Sequence, residues 1–251
     1  MNAPRPQPKR VPLEAWLRFL RVVNLPTVPG DVFSGAAVAC AFCPRVHGDA
    51  LAVILPTALA SVLLYMFGLA DNDIVGAGTD TDRPIPQGLI SLRAARLARS
   101  LCLLVAAGIG LAAKLPAAWW LSAFGLAVVV VLYNRTKNAV LMGLCRGLDV
   151  VCGATALAAI WSPASIAAVA AAALVWTAYI GAVTKYSEGE QTDPDRKRRV
   201  GILIGALVWL QLAVVAVFAC VFHTYSLLAA QLAMLAALLL LKRLLPFVSA
   251  S

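Results

Sequence analysis

Long apolar runs are the feature that most restricts what this chain can fold into. They last roughly 17 to 25 residues and are rich in Leu, Ala and Val, which suits helices that cross a hydrocarbon core about 30 Å thick. The strands of an outer-membrane barrel would instead alternate apolar and polar residues. With 61% hydrophobic and 13% charged residues, the 251-residue chain has too little polar sequence to coat a water-soluble globule. The sequence therefore predicts an all-α fold, a polytopic bundle of membrane helices.

Eight apolar runs are candidates for membrane spans. They are predicted near residues 16–42, 51–70, 94–113, 116–133, 139–160, 164–184, 200–222 and 225–248. Residues 1–12 are basic and rich in proline, which predicts a disordered cytoplasmic tail. Residues 13–251 are predicted to form a single transmembrane domain.

The basic residues predict the orientation of the bundle. If the N-terminus is cytoplasmic, eighteen Lys and Arg residues fall on the inner side and only two, Arg45 and Lys114, on the outer side. This asymmetry agrees with the positive-inside rule, so the net charge of +9 is first of all a topology signal. No aromatic or basic module supports nucleic-acid binding. We expect a multi-pass protein of a bacterial plasma (inner) membrane, with both of its acidic segments facing the cytoplasm.

Two acidic segments follow apolar runs on that predicted inner face. The first, DNDIVGAGTDTDRPIPQG at residues 71–88, is expected to be a loop. Its carboxylates are those of Asp71, Asp73, Asp80 and Asp82, and the second segment carries Glu188, Glu190, Asp193 and Asp195. Two carboxylates about 4 Å apart repel by ~4 kcal/mol at an effective dielectric near 20, so such clusters favour a bound cation. We predict that the two segments face each other and hold Mg²⁺, which takes oxygen ligands and is usually completed by substrate phosphates.

Basic side chains interleave with these acids. The same predicted face carries Arg83, Arg135, Lys137 and Lys185. Such groups can grip a diphosphate that metal bridges to the carboxylates. We interpret residues 93–99 and most of 196–199 as ordinary positive-inside anchors, whereas Arg135 and Lys137, in the turn YNRTKN, are interpreted as functional.

Polar and charged residues inside the predicted spans raise the free energy of membrane insertion. Asn24 and Asp31 fall in the first span, and Arg146 and Asp149 in the fifth. A charge near the bilayer centre costs at least ~2.5–3.5 kcal/mol on insertion scales, so these side chains should face the bundle interior or a wet cavity. Arg146 and Asp149 are spaced i, i+3, which allows pairing on one helix face. Both a structural pair and a substrate-cavity lining stay open.

Several stretches of the chain share one family resemblance. Tyr65–Gly88 joins an Asn-Asp motif to a trailing RPIPQG segment, and RVVNLPTVPGDVFSG lies in the predicted first span. YNRTKN is followed by MGLCRGLDVVCGA, and KYSEGE begins the second acidic segment. On these motifs, residues 16 to about 220 resemble the UbiA superfamily of intramembrane prenyltransferases.

The resemblance implies transfer of a prenyl group from a prenyl diphosphate to a membrane-soluble acceptor, with Mg²⁺ as cofactor. The implied metal ligands are Asn72, Asp73, Asp80 or Asp82 on one side and Glu188 or Glu190 on the other. The implied catalytic residues are Asp73, Arg135 and Lys137. The implied substrate-binding residues are Asn24, Tyr65, Arg83, Tyr133, Arg146, Asp149, Lys185 and Tyr186. The acceptor is expected to be aromatic or a lipid.

Two other functions stay open. Gly76 and Tyr186 stand where the family usually has Asp, which favours a catalytically degenerate member that binds or carries a polyprenyl lipid. The other is a small transporter with ion sites at the midplane, although the acids cluster at one face and no inverted repeat is evident.

Overall fold

The computed structural model describes residues 12–41, 50–157, 162–189, 193–222 and 225–245, and these are predominantly helical. The helices are α1 (Leu13–Phe19), α2 (Pro29–Ala41), α3 (Ala50–Val75), α4 (Leu92–Ala112), α5 (Ala117–Thr136), α6 (Ala139–Ala156), α7 (Pro163–Ser187), α8 (Pro194–Phe222) and α9 (Tyr225–Leu244). Seven of them, α3 to α9, are long and apolar enough to cross a membrane, which confirms the predicted polytopic bundle. Residues 1–11 of the predicted tail and the predicted ligand Glu190 lie outside the described residues.

The predicted first span, residues 16–42, is not one continuous helix. After α1, Arg21 adopts a left-handed conformation with φ of 42°, and a 3-10 helix follows at Val22–Thr27. Pro26 and Pro29 contribute to the break, because proline lacks the amide hydrogen that a helix ladder needs. α2 then has 13 residues, and every one from its start to Cys40 is buried. At 1.5 Å per residue it is about 20 Å long and lies inside the bundle.

α3 runs further than the apolar segment predicted at 51–70. Asp71, Asn72 and Asp73 form part of its last turns, so the expectation of a loop that begins at Asp71 is wrong. All three side chains are buried. Acids are unfavourable at the C-terminal end of a helix dipole, and here basic partners from other segments offset that cost. The other boundaries agree to within about a turn, except that α8 begins at Pro194 rather than near residue 200.

The central position of α6 depends on glycine. A methyl group at Gly153 would collide with the carbonyl oxygen of Val32 on α2, and one at Gly35 would collide with that of Val150 on α6. On the other side of α6, Gly143 makes a similar backbone contact with α7. Small residues let helix backbones approach closely in membrane proteins, where lipid and protein are equally apolar. α6 is therefore held between α2 and α7.

Gly153→Ala is expected to lower the free energy of unfolding by about 1–3 kcal/mol, because the added methyl group meets backbone that has no room to move. The measurement is thermal unfolding of the purified protein in detergent. Gly125→Ala on α5 is the matched control, since a Cβ there meets nothing within 4 Å. That variant should be as stable as the wild type or slightly more so, because alanine favours helix over glycine by about 1 kcal/mol. Equal unfolding temperatures for the two variants would contradict the prediction.

A buried polar cluster fastens the broken first element to the bundle. The Arg146 guanidinium forms an ion pair with Asp31, with 2.8 Å between Nε and Oδ2. Trp176 Nε1 donates a hydrogen bond to Asp31 Oδ1 at 2.7 Å, and Gln211 Nε2 donates to the same oxygen at 2.6 Å. Gln211 Nε2 also donates to the carbonyl oxygen of Thr27 at 3.0 Å. This group of side chains, the Asp31 cluster (Asp31, Arg146, Trp176 and Gln211), joins α2 to α6, α7 and α8.

Candidate functional site

A cavity of about 540 Å³ lies among α3, α5, α6, α7 and α8. Its walls combine apolar side chains such as Leu64 and Val130 with polar ones, among them Asn72 near the C-terminal end of α3. Seven of the predicted site residues line it: Asn24, Tyr65, Asn72, Arg83, Tyr133, Arg146 and Asp149. The sequence prediction therefore located residues that the fold brings to one cavity, and their roles stay predictions.

Asp71 connects three helices. Arg99 Nη1 on α4 lies 2.9 Å from Asp71 Oδ1, and Asn134 Nδ2 on α5 donates to Asp71 Oδ2 at 2.9 Å. Asn134 also donates to the carbonyl oxygen of Gly68 at 3.0 Å. With its carboxylate occupied on both oxygens and only 2% exposed, Asp71 is fixed in the structure rather than open to a ligand. Arg99, interpreted as a surface anchor, also neutralises this buried acid.

The ammonium group of Lys137 contacts the side chain of Asn72. α5 ends here, and Lys137 caps it in a left-handed conformation with φ of 54°. Its Nζ donates a hydrogen bond to Asn72 Oδ1 and lies 5.6 Å from the centre of the Tyr133 ring. Partial burial lowers the pKa of Lys137, and the positive charge of Arg83 lowers it further. The ammonium group therefore stands between an amide oxygen and an aromatic face beside the cavity.

Arg135, two residues earlier in the same turn, is placed differently. Its side chain is exposed, and Nη1 donates to the carbonyl oxygen of Val131 at 3.2 Å within its own helix. Although the sequence suggested equal roles for Arg135 and Lys137, only Lys137 contacts a residue that lines the cavity.

One guanidinium group joins two carboxylates at the end of α3. Arg83 Nη1 contacts Asp73 Oδ1, and Arg83 Nε lies 2.9 Å from Asp80 Oδ2. Arg21 Nη2 lies 3.5 Å from the same oxygen of Asp73. The Asp73 side chain is 3% exposed and that of Asp80 39%, so a buried acid and a partly exposed acid share one positive partner. Asp82, also predicted as a ligand, is exposed.

The second acidic segment is next to the cavity through Ser187, the residue before its first carboxylate. Ser187, in the last turn of α7, lines the cavity together with Asn72. The next residue, Glu188, is exposed, and its Oε2 lies 2.7 Å from Nζ of Lys185. Tyr186 is 37% exposed, with the Arg196 guanidinium 5.6 Å from its ring centre.

No three His, Cys, Asp or Glu side chains in the described ranges lie close enough together to hold a metal by themselves. An Mg²⁺ ion at the end of α3 would therefore take further ligands from waters and substrate phosphates, as Mg²⁺ commonly does.

Arg146 and Asp149 lie deeper, part-way along α6. Arg146 pairs with Asp31 as described, and its Nη2 donates to the carbonyl oxygen of Thr27 at 3.1 Å. Asp149 accepts a hydrogen bond from Ser61 of α3. The i, i+3 pair that their spacing allows is not formed, because each side chain contacts a different neighbour. Both nevertheless line the cavity.

Sequence reasoning missed Arg21 as a site residue. Arg21 lines the cavity and reaches Asp73 because the chain turns sharply at its own left-handed backbone. In the sequence, Arg21 contributes only to the predicted orientation and to the start of the RVVNLPTVPGDVFSG motif. The signal that would have found it is its position inside the predicted span 16–42, since a charge within a span is usually placed toward a cavity or partner.

The UbiA prenyltransferase family model matches residues 32–250. No curated protein matches the sequence. The fold is similar to a structure from work on digeranylgeranylglyceryl phosphate synthase in membranes, with a TM-score of 0.57, 17% identity and coverage of 92% of this chain and 88% of that one. It is also similar to a UbiA homologue from Archaeoglobus fulgidus bound to DMAPP and Mg²⁺, with a TM-score of 0.53, 17% identity and coverage of 92% and 86%.

The same Archaeoglobus fulgidus protein bound to GPP and Mg²⁺ gives a TM-score of 0.52, 15% identity and coverage of 92% and 87%. At such identities these structures establish the fold, while the family model covers most of the chain. The resemblance found in the sequence motifs is confirmed, and the chain belongs to the UbiA prenyltransferase family.

Proposed function

We propose that the protein is an Mg²⁺-dependent intramembrane prenyltransferase, which moves a prenyl group from a prenyl diphosphate to an aromatic or lipid acceptor. The cavity carries this proposal, because Arg21, Asn72 and Arg83 line it at the C-terminal end of α3 and apolar side chains form much of its walls, while Arg146 and Asp149 are charged groups deeper in the lining. A ligand with a charged head and an apolar tail matches that distribution. A homologue of similar fold binds DMAPP and GPP with Mg²⁺, which supports the same substrate class here.

The residues at the end of α3 fit Mg²⁺. The Arg83 guanidinium contacts the carboxylates of both Asp73 and Asp80, so these two acids already share one positively charged group. Asn72, next to Asp73, adds an amide oxygen. Asn72, Asp73 and Asp80 would hold the ion, which when bound supplies positive charge to the departing diphosphate. Glu188 stays a predicted ligand, and in this structure its carboxylate is paired with Lys185.

Basic side chains would bind the diphosphate directly. Arg21 and Arg83 line the cavity. Lys137 lies beside it, where its ammonium group donates a hydrogen bond to Asn72. Charge-assisted hydrogen bonds to a phosphate strengthen as negative charge collects on the leaving group, which lowers the barrier to its departure. Tyr65 and Tyr133, also in the lining, offer aromatic faces that can stabilise positive charge developing on the prenyl carbon.

Lys137→Met is expected to weaken the binding of inorganic diphosphate with Mg²⁺ about 10- to 100-fold, since a hydrogen bond to a charged group contributes about 1.5–3 kcal/mol. Calorimetric titration of the purified protein measures this. Arg135→Gln is the matched control, because it removes a charge from the same turn whose guanidinium is bonded to its own helix, and it should change the dissociation constant less than twofold. Equal weakening in both variants would indicate a general charge effect and contradict the assignment.

The proposed function is tested with labelled geranyl diphosphate and membrane extract as the acceptor source, with and without Mg²⁺. Mg²⁺-dependent diphosphate release, with the label in a new lipid-soluble product, is the expected result. We further propose a bacterial plasma-membrane protein with the α3 end in the cytoplasm, an orientation that the excess of basic residues supports, so inside-out bacterial vesicles should be active and intact cells inactive.

The second candidate function is a protein that binds or carries a polyprenyl lipid without chemistry. Tyr186 favours it, because it stands where the family usually has Asp and cannot supply a carboxylate to a metal. Tight binding of geranyl diphosphate with no release of diphosphate in any extract would select this candidate over the transferase.

A further inference from the structure

The deep end of the cavity carries a carboxylate that the diphosphate does not need. Asp149 on α6 lines the cavity, is 4% exposed, and accepts a hydrogen bond from the hydroxyl of Ser61 on α3. In the part of the chain that the structure describes, this is the one side-chain hydrogen bond that Asp149 accepts. An ionisable group within a membrane span is costly to insert, so a carboxylate with a single neutral partner is a place that a ligand can complete.

Two helices give the same depth for this carboxylate. On α3, Ser61 lies eleven residues before Asn72, which is about 16 Å along the helix axis. On α6, Asp149 lies ten residues after Ala139, where the helix begins beside the Lys137 turn, and this is about 15 Å. Because Lys137 contacts Asn72, both measurements start from the same end of the bundle. Asp149 therefore faces a part of the cavity well removed from the diphosphate end.

A mainly apolar wall separates the two polar ends. Between Ser61 and Asn72, the residues that α3 contributes to the lining are Leu64, Tyr65, Gly68 and Leu69. α5 adds Leu126 and Val130 to the same cavity. A molecule that fills this region needs an apolar body, with a hydrogen-bond donor at the point where it reaches Asp149.

The neighbouring cation does not neutralise Asp149. Arg146, one turn earlier on α6, directs Nε to Asp31 at 2.8 Å and Nη2 to the carbonyl oxygen of Thr27 at 3.1 Å. Since Asp31 already balances Arg146, the three ionised side chains together carry one negative charge. A carboxylate on the ligand would be repelled here, whereas a hydroxyl group can donate a hydrogen bond to Asp149.

We propose that Asp149, held by Ser61, is the residue that recognises the acceptor, and that it selects a neutral acceptor through a hydroxyl group. The hydroxyl donates to the carboxylate, and the apolar body of the acceptor lies along α3 toward the diphosphate end. Phenols and aliphatic alcohols share this chemistry, while an acid whose carboxylate would enter this end is disfavoured. This acceptor class rests on the proposed function, because it concerns the second substrate of the same transfer.

The test measures the binding of 2-naphthol to the protein in nanodiscs by fluorescence, so that no turnover is needed. Asp149→Asn keeps the shape of the side chain and an oxygen for Ser61 but removes the charge. It should raise the dissociation constant of 2-naphthol about tenfold, because a hydrogen bond to a charged group is stronger than one to a neutral group. The dissociation constant of 2-naphthoate should instead fall, by about fivefold or more, because the repulsion is removed.

The opposite changes for the two probes separate lost recognition from partial unfolding, which would weaken both. 2-Methoxynaphthalene, which has no hydroxyl hydrogen to donate, should bind the wild type and Asp149→Asn with dissociation constants that differ less than about twofold. Asp71→Asn removes a similarly buried carboxylate at the other end of the cavity and should leave the preference for 2-naphthol unchanged. Thermal unfolding of each variant verifies that it is folded.

No saturable binding of 2-naphthol to the wild type, equal affinity of 2-naphthol for the wild type and Asp149→Asn, or tighter wild-type binding of 2-naphthoate than of 2-naphthol would overturn this role of Asp149. Any of these results leaves the proposed function standing if the wild type still releases diphosphate from geranyl diphosphate with Mg²⁺ and membrane extract. Failure of that release, with the preference for 2-naphthol intact, would contradict the transferase and leave Asp149 as a hydroxyl-binding residue of a carrier.

Discussion

Asp73→Ala is expected to lower the rate of diphosphate release from geranyl diphosphate by about 10²–10³-fold, the loss typical when one electrostatic group of a transition-state site is removed. The carboxylate of Asp73 is buried and faces Arg83 and Arg21. Its removal takes away a charged metal ligand and leaves two guanidinium groups without their shared counter-ion. Metal and diphosphate would then be held less firmly at the end of the cavity.

The measurement for Asp73 is a single-turnover assay in nanodiscs, which separates chemistry from product release. Asp71→Asn is a demanding control, because Asp71 is just as buried but is occupied by Arg99 and Asn134. We expect that variant to lose stability, with folded molecules keeping their turnover. Full Mg²⁺-dependent turnover by Asp73→Ala would remove the proposed transferase mechanism.

Asp31→Leu is expected to lower the free energy of unfolding by about 3–5 kcal/mol, because it leaves the charged Arg146 buried without its partner. Trp176 and Gln211 lose a hydrogen-bond acceptor in the same step. Replacing both charges, in Asp31→Leu combined with Arg146→Met, should recover much of this loss, since an apolar pair of similar size can replace a buried ion pair at little cost.

A double-mutant cycle on detergent-induced unfolding measures the coupling between the two residues. Strictly additive losses would show that Arg146 does not depend on Asp31. Arg146 also lines the cavity, so binding of geranyl diphosphate to the folded double variant tests its predicted substrate role separately from its structural one.

The sequence predicted those parts of the fold that depend on local composition. Apolar runs located seven helices, and the Asn-Asp motif with RPIPQG located the end of the cavity where Asn72 and Arg83 stand. It failed at Asp71, where acids looked like the start of a loop. In the fold the carboxylate of Asp71 is paired with Arg99 of α4 and Asn134 of α5, partners that the local sequence around Asp71 does not reveal.

The sequence pattern also did not predict which side chains pair with each other in the folded protein. The spacing of Arg146 and Asp149 allowed a pair, but Asp31 competes for the guanidinium from another helix. The closeness of the Asp80 side chain to Gly76 becomes visible only when the turn after α3 is seen to fold back on that helix. Such choices are set by which helices become neighbours, and hydrophobic periodicity carries no information on partner choice.

The deep burial of Asp31 also bears on how the protein is made. Trp176 follows Asp31 by 145 residues and Gln211 by 180 residues, so both emerge from the ribosome long after α2. Until then α2 lacks the side-chain partners that lower the free-energy cost of placing the Asp31 carboxylate in lipid. The helix is about 20 Å long. The contacts that stabilise Asp31 are therefore complete only once α8 has been synthesised, and we expect the final packing of α2 to come late in biogenesis.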